Sequence, residues 1–234
     1  VSGLEEVLEL QAMDTALAQL RHRRANLPER TVFAQAQATL TATQAEIDSA
    51  TDTAGSAAVE LASIESMTAD LDATCERLER QLRTVTSTRE ADAIQHELET
   101  LAVRRGEADE RGLELLMLLD ELAERRVELD DRLHQQTVAR DDAAGTLRAI
   151  EEEIDAELQA IEARRTHAAD ALDPAMLQRY EYLRQHGGGV GIARLVGSRC
   201  EGCHIDLSRT ELEAVRAAPE GEAECPSCGR LLVV

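Results

Sequence analysis

Tryptophan and lysine are absent from this 234-residue sequence, phenylalanine occurs once (Phe33) and tyrosine twice (Tyr180, Tyr182). Without the large rings that dominate most interiors, a single large globular core is not expected. The four prolines stand at 28, 174, 219 and 226, outside or at the edges of a long stretch that is left free of proline. No run of 18 apolar residues occurs, so no membrane span is predicted. The opening "VSGLEEVLELQ" has no basic start followed by an apolar stretch and does not resemble a secretion signal. The expected location is the cytoplasm. Catalytic signatures are also missing. The six histidines are scattered, and "GGGVG" lacks the Lys-Ser/Thr that would complete a phosphate cradle. The many carboxylates at helical spacing read as solvated faces, so an enzyme is not expected.

What is present is helical in character. Ala, Leu, Glu, Arg, Gln and Asp fill most of residues 1–170, the composition of long helices or coiled coil. Apolar positions step by three and four through Leu61, Ile64, Thr68, Leu71, Cys75, Leu78, Leu82 and Val85, which is a heptad seam. A second run goes from Ile94 through Leu98, Leu101, Ala108, Leu115, Leu119, Leu122, Leu129, Leu133, Leu147, Ile150 and Ile154 to Ile161. Arg105, Gly112, Arg126, Gln136 and Arg140 are blemishes on its grid. "TVTSTREADA" separates the two runs, and its β-branched and small polar residues disfavour helix.

The reading is a mostly α protein. Residues 1–170 form an antiparallel coiled-coil hairpin with its tip near 84–89 and a kink near 25–28, where Pro28 disfavours helix in the residue before it. The return helix alone would be on the order of 115 Å long. Residues 171–189 form a connecting helix, started by Asp173-Pro174, and a glycine-rich joint, "HGGGVG", which is either a hinge or a tight corner where backbone approaches backbone. Residues 190–234 form a small second domain with a capping box at Ser208–Glu211. So small a domain needs a staple.

Four of the five cysteines supply one. Cys200, Cys203, Cys225 and Cys228 form two Cys-x-x-Cys pairs separated by 21 residues. Each pair can aim two sulfurs at one ion, and two pairs complete a tetrahedron of thiolates, a structural Zn²⁺ site with one ion per chain. Gly202 and Gly229 beside the pairs suit sharp turns. Disulfides do not fit the expected reducing compartment, and a thioredoxin-like pair would need a βαβ context. Iron uses the same four-sulfur set and stays open at this point. His204 follows Cys203 and is read as a surface residue rather than a spare ligand. Cys75 lies on the seam and reads as a small buried hydrophobe.

Charge indicates the partner class. The net charge is −21 and every base is Arg, so the surface repels nucleic acid and attracts basic partners. Residues 187–234 hold five Arg against seven acids. With four thiolates and Zn²⁺ that module reaches −4 and offers no aromatic for base stacking, unlike a nucleic-acid module. Residues 76–105 balance six Arg with six acids, and Arg83, Arg89 and Glu90 at the tip are candidate partner contacts. Exposed apolar stripes on a two-helix rod also leave room for a homodimer. The leading expectation is a non-enzymatic adaptor binding proteins through hairpin and ribbon. The alternative is an RNA- or DNA-binding regulator using the ribbon or the Arg-bearing tip.

"YEYLRQHGGGVGIARLV", Cys-x-x-Cys-His and the closing Cys-x-x-Cys-Gly-Arg-x-Leu resemble the C-terminus of a widespread bacterial family. Its members join a coiled-coil hairpin to a C4-type zinc ribbon, and "TSTREADAI" is similar to the family's tip segment. The resemblance implies zinc ligation by the four cysteines. It also implies adaptor or chaperone work, which in relatives concerns an alternative sigma factor, flagellar or type III secretion assembly, or messenger RNA.

Overall fold

The computed structural model describes residues 3–219 and 222–234, so the pair 220–221 inside the predicted ribbon lies outside the described residues. Helices α1 (Gly3–Ala25), α2 (Pro28–Leu82), α3 (Thr88–Asp170) and α4 (Pro174–His186) come first. Strands β1 (Ile192–Val196) and β2 (Arg199–Cys200), helix α5 (Arg209–Ala217) and strand β3 (Leu231–Val233) follow. The helices end where local chemistry ends them. Pro28 opens α2. Asp173 caps α4, accepting from the backbone N–H groups of Ala175 and Met176 at 3.0 and 3.1 Å. Ser208 and Glu211 make both bonds of a capping box on α5. No helix among the described residues is long and apolar enough to cross a membrane.

The chain divides into two compact units. One runs up to Thr31 and resumes at Gly145, and the other is Val32–Ala144. In Val32–Ala144 the arms α2 and α3 run antiparallel, with Arg105 on Asp72 at 3.0 Å, Arg111 on Glu60 at 2.8 Å and Arg125 on Glu46 at 3.0 Å. Burial keeps a seven-residue step. Ile94, Leu101, Ala108, Leu115 and Leu129 are buried on α3, and Thr43, Ala57 and Leu78 on α2, with Ile47 buried one turn beyond Thr43. Cys75 is half-buried and packs on the Leu78–Ile94–Leu101 cluster.

In the other unit the strands form one sheet, ordered β2-β1-β3. β1 and β2 are antiparallel with Leu195 opposite Cys200, and β1 and β3 are parallel with Ala193 opposite Leu232. One face of this sheet is not a free-standing module. Ile192, Leu231 and Val233 share a core with Leu4, Val7 and Leu10 of α1, Ala169 of α3 and Tyr180 of α4.

The "HGGGVG" segment is a packed corner rather than an open linker. The Gln11 side chain donates to the Gly189 carbonyl at 2.9 Å and accepts from the Gly191 N–H at 2.7 Å. A Cβ on Gly187 would lie 2.4 Å from the Val190 carbonyl oxygen, and one on Gly191 would lie 2.8 Å from that of Tyr180. These two glycines serve close backbone approach, which is the corner reading of the joint rather than the hinge. Glycine's freedom and its lack of bulk are written with the same letter.

Candidate metal centre

The four cysteines converge from two turns built alike. In the first, the N–H of His204 donates to the Cys200 carbonyl at 2.7 Å, and the N–H of Cys200 to that of Ile205 at 3.1 Å. In the second, the N–H of Gly229 donates to the Cys225 carbonyl at 2.8 Å, and the N–H of Cys225 to that of Arg230 at 2.9 Å. The residue after the second cysteine is left-handed in both, with φ of 61° at His204 and 70° at Gly229. Glycine takes that conformation freely and histidine at a cost. Gly202 serves differently: its φ is not positive, and a Cβ there would sit 2.8 Å from Arg230 Cδ.

These turns bring the Sγ atoms of Cys200, Cys203, Cys225 and Cys228 within 4.8 Å of one another. Cys200 lies 4.0 Å from Cys228 and Cys203 lies 3.9 Å from Cys225. Four sulfurs about 2.3 Å from one Zn²⁺ would stand roughly 3.8 Å apart, so the set fits a single tetrahedral ion. His204 is exposed and is not in the group. The sulfurs sit on a small core of Ala193, Leu207, Val215, Ala223 and Leu232.

The thiols are held unequally. Burial pushes the Cys200 thiol up to about 12 and raises that of Cys225 above its usual range. Burial also opposes the thiolate of Cys228, but hydrogen bonds from the Arg230 backbone and side chain outweigh it and bring the thiol down to about 7. The same Arg230 side chain donates to the carbonyls of Val190 at 2.9 Å and Gly187 at 2.5 Å. It thereby ties the second cysteine turn to the glycine corner.

Arg230 stands in the closing Cys-x-x-Cys-Gly-Arg-x-Leu motif, whose spacing does not announce this role. Nor does the sequence announce the base on which the ribbon rests. Tyr180 is fully buried and donates to Asp14 at 2.7 Å. Burial first, and then that bond, hold its phenol well above the usual range. Asp14 also pairs with Arg165 at 3.1 Å and Arg184 at 3.5 Å, and both arginines pair with Glu181. Outside the ribbon, Glu5 holds Arg194 at 2.8 Å. Arg83, Arg89 and Glu90 are exposed beside the turn between α2 and α3. They belong to the Val32–Ala144 unit and are not gathered with the cysteines.

Comparison with known proteins matches both parts. The CT398-like coiled coil hairpin domain matches residues 10–188, and the C4-type zinc ribbon domain matches residues 199–232. A Mycobacterium tuberculosis protein, Rv2229c, is 31% identical over 256 aligned positions, covering 100% of this chain and 96% of its own. The structure of CT398 from Chlamydia trachomatis superimposes with a TM-score of 0.80 at 18% identity, over 98% of this chain and 96% of that one. At that identity the likeness speaks for the fold alone. A Mycobacterium smegmatis structure is similar at a TM-score of 0.68 and 27% identity, over 99% and 97% of the two chains.

Proposed function

This chain belongs to the family of CT398-like coiled-coil hairpin proteins, here carrying a C4-type zinc ribbon, and from that premise we propose that it is a non-enzymatic, chaperone-like adaptor of the cytoplasm. It binds protein partners through hairpin and ribbon. The observation that carries this reading is the closed donor set. Four mutually close thiolates fill a tetrahedral ion's coordination and leave no position for water or substrate, so the metal shapes a surface rather than performing a reaction. The long helices present acidic faces at a net charge of −21, which favours partners with basic patches.

The test is recovery of full-length protein from its native cells, with and without nuclease. A partner retained through nuclease treatment and lost after zinc chelation supports the adaptor. Recovery of RNA or DNA alone, with saturable binding at physiological salt, would overturn it in favour of a nucleic-acid regulator.

A further inference from the structure

Between two buried positions of α3 the seam lacks a side chain. Leu115 is 2% exposed and Ala108 4%, but the seam position between them is Gly112, which has no side chain to insert. Its nearest neighbours across the seam are Ile64 Cγ2 and Leu61 Cδ1, each 3.9 Å from where a Cβ would stand. An open groove of about 580 Å³ lies at this point, walled by Leu61, Ile64, Leu113 and Leu116. Leu113 is 61% exposed and Leu116 51%. Met117, 73% exposed, is four residues from Leu113 and so shares its helix face.

The rim is acidic. Glu65, Asp72 and Asp109 line the groove without a basic residue among its walls. Residues 59–72 and 103–117 together hold eight acids against three Arg. Two of those three are engaged: Arg105 with Asp72, and Arg111 with Glu60 and Glu114. A second copy would bring the same negative segment against this one, which like-charge repulsion disfavours.

We propose that this groove receives an amphipathic helix of a partner protein, with large apolar residues at i, i+3/i+4 and i+7 and Lys or Arg on both flanks. A two-helix coil leaves a trough along its side, and a third helix in that trough covers the exposed leucines while its flanking cations meet the rim. The inference deepens the adaptor reading and rests on it.

The probe is a fluorescent synthetic peptide of roughly twenty residues, long enough for several helical turns, with Leu at those positions and Lys elsewhere. A composition-matched scramble serves as control. Saturable binding to the full chain at physiological salt is expected. The scramble, Gly112→Leu (which fills the groove), and the double surface variant Leu113→Gln/Leu116→Gln should each bind at least about tenfold more weakly. Helical circular dichroism checks folding, and if Gly112→Leu is destabilised the surface variant decides. Equal binding of the scramble, no saturable binding, or unchanged affinity in the surface variant would overturn the proposal. So would self-association of the unmodified chain that Gly112→Leu abolishes, since that outcome makes the groove a dimer face. A native partner that still co-purifies with both variants while the peptide fails to bind would leave the adaptor standing and remove the groove.

Discussion

In the unit that bears the ribbon, Tyr180, Val7, Leu10, Ile154, Ile192, Leu231 and Leu232 are all under 2% exposed, whereas in Val32–Ala144 only Leu115 and Leu129 among the described residues reach that burial. The first unit concentrates its stability in a few side chains, a buried hydrogen-bonded network and a metal. The second spreads it thinly along a seam, with ion pairs at the surface. Damage at a single position should therefore be severe in the first and slight in the second.

The largest effect expected is from the metal. Cys225→Ser should lose the one bound zinc, whose binding in small zinc modules is worth about 10–16 kcal/mol. Because β1 and β3 share a core with α1 and α4, the loss should spread beyond the ribbon. About a quarter of the helical circular dichroism, the share of α1, α4 and α5, should go with it while the rest remains. Loss of all helicity in one step would break the contrast between the units. Next comes Tyr180→Ala, which removes the largest fully buried side chain and should cost about 3–5 kcal/mol in denaturant unfolding.

The pH dependence of zinc affinity follows. The metal requires thiolates, but in the metal-free fold Cys200 and Cys225 keep their protons at neutral pH because burial raises both. Each proton displaced contributes a factor of ten per pH unit, so these two alone should make affinity fall by at least about a hundredfold per unit as pH drops from 8 to 7. Below about 7 the Cys228 thiol protonates as well and the fall should steepen. Competition with a chromophoric chelator measures this, and a flat profile would mean that the thiols are already ionised. The smallest effect is in the other unit. Arg111→Ala breaks pairs to Glu60 and Glu114 that are open to solvent, and the melting midpoint should not move resolvably.

The sequence showed best what is decided within a few residues. The doubled Cys-x-x-Cys spacing, the Asp173-Pro174 start and the Ser208–Glu211 box are local devices, and their chemistry is complete in a short window. The heptad grid was also readable, down to Gly112 as an irregularity. Partnerships between distant residues were not. Nothing in the pattern around Gln11 announces that it bonds Gly189 and Gly191, or around Asp14 that Tyr180 will donate to it. A polar residue on a helix face looks the same whether it meets water or a strand folded back from far along the chain. For that reason the ribbon read as a free-standing domain, while its sheet in fact rests on α1 and α4.

The bond between Gln11 and Gly191 joins residues 180 positions apart, and this has a consequence during biosynthesis. Translation at roughly 5–20 residues per second takes about ten to forty seconds to cover that distance. Throughout it, Leu4, Val7 and Leu10 have been made but the strands that bury them have not. The two long helices can close their seam in the meantime, since their contacts form progressively from the turn at 83–87. The N-terminal helix has to wait for β1, β3 and the second cysteine pair. Its apolar face thus stays uncovered until those strands arrive, and metal loading of the second cysteine pair is the event that completes the cover.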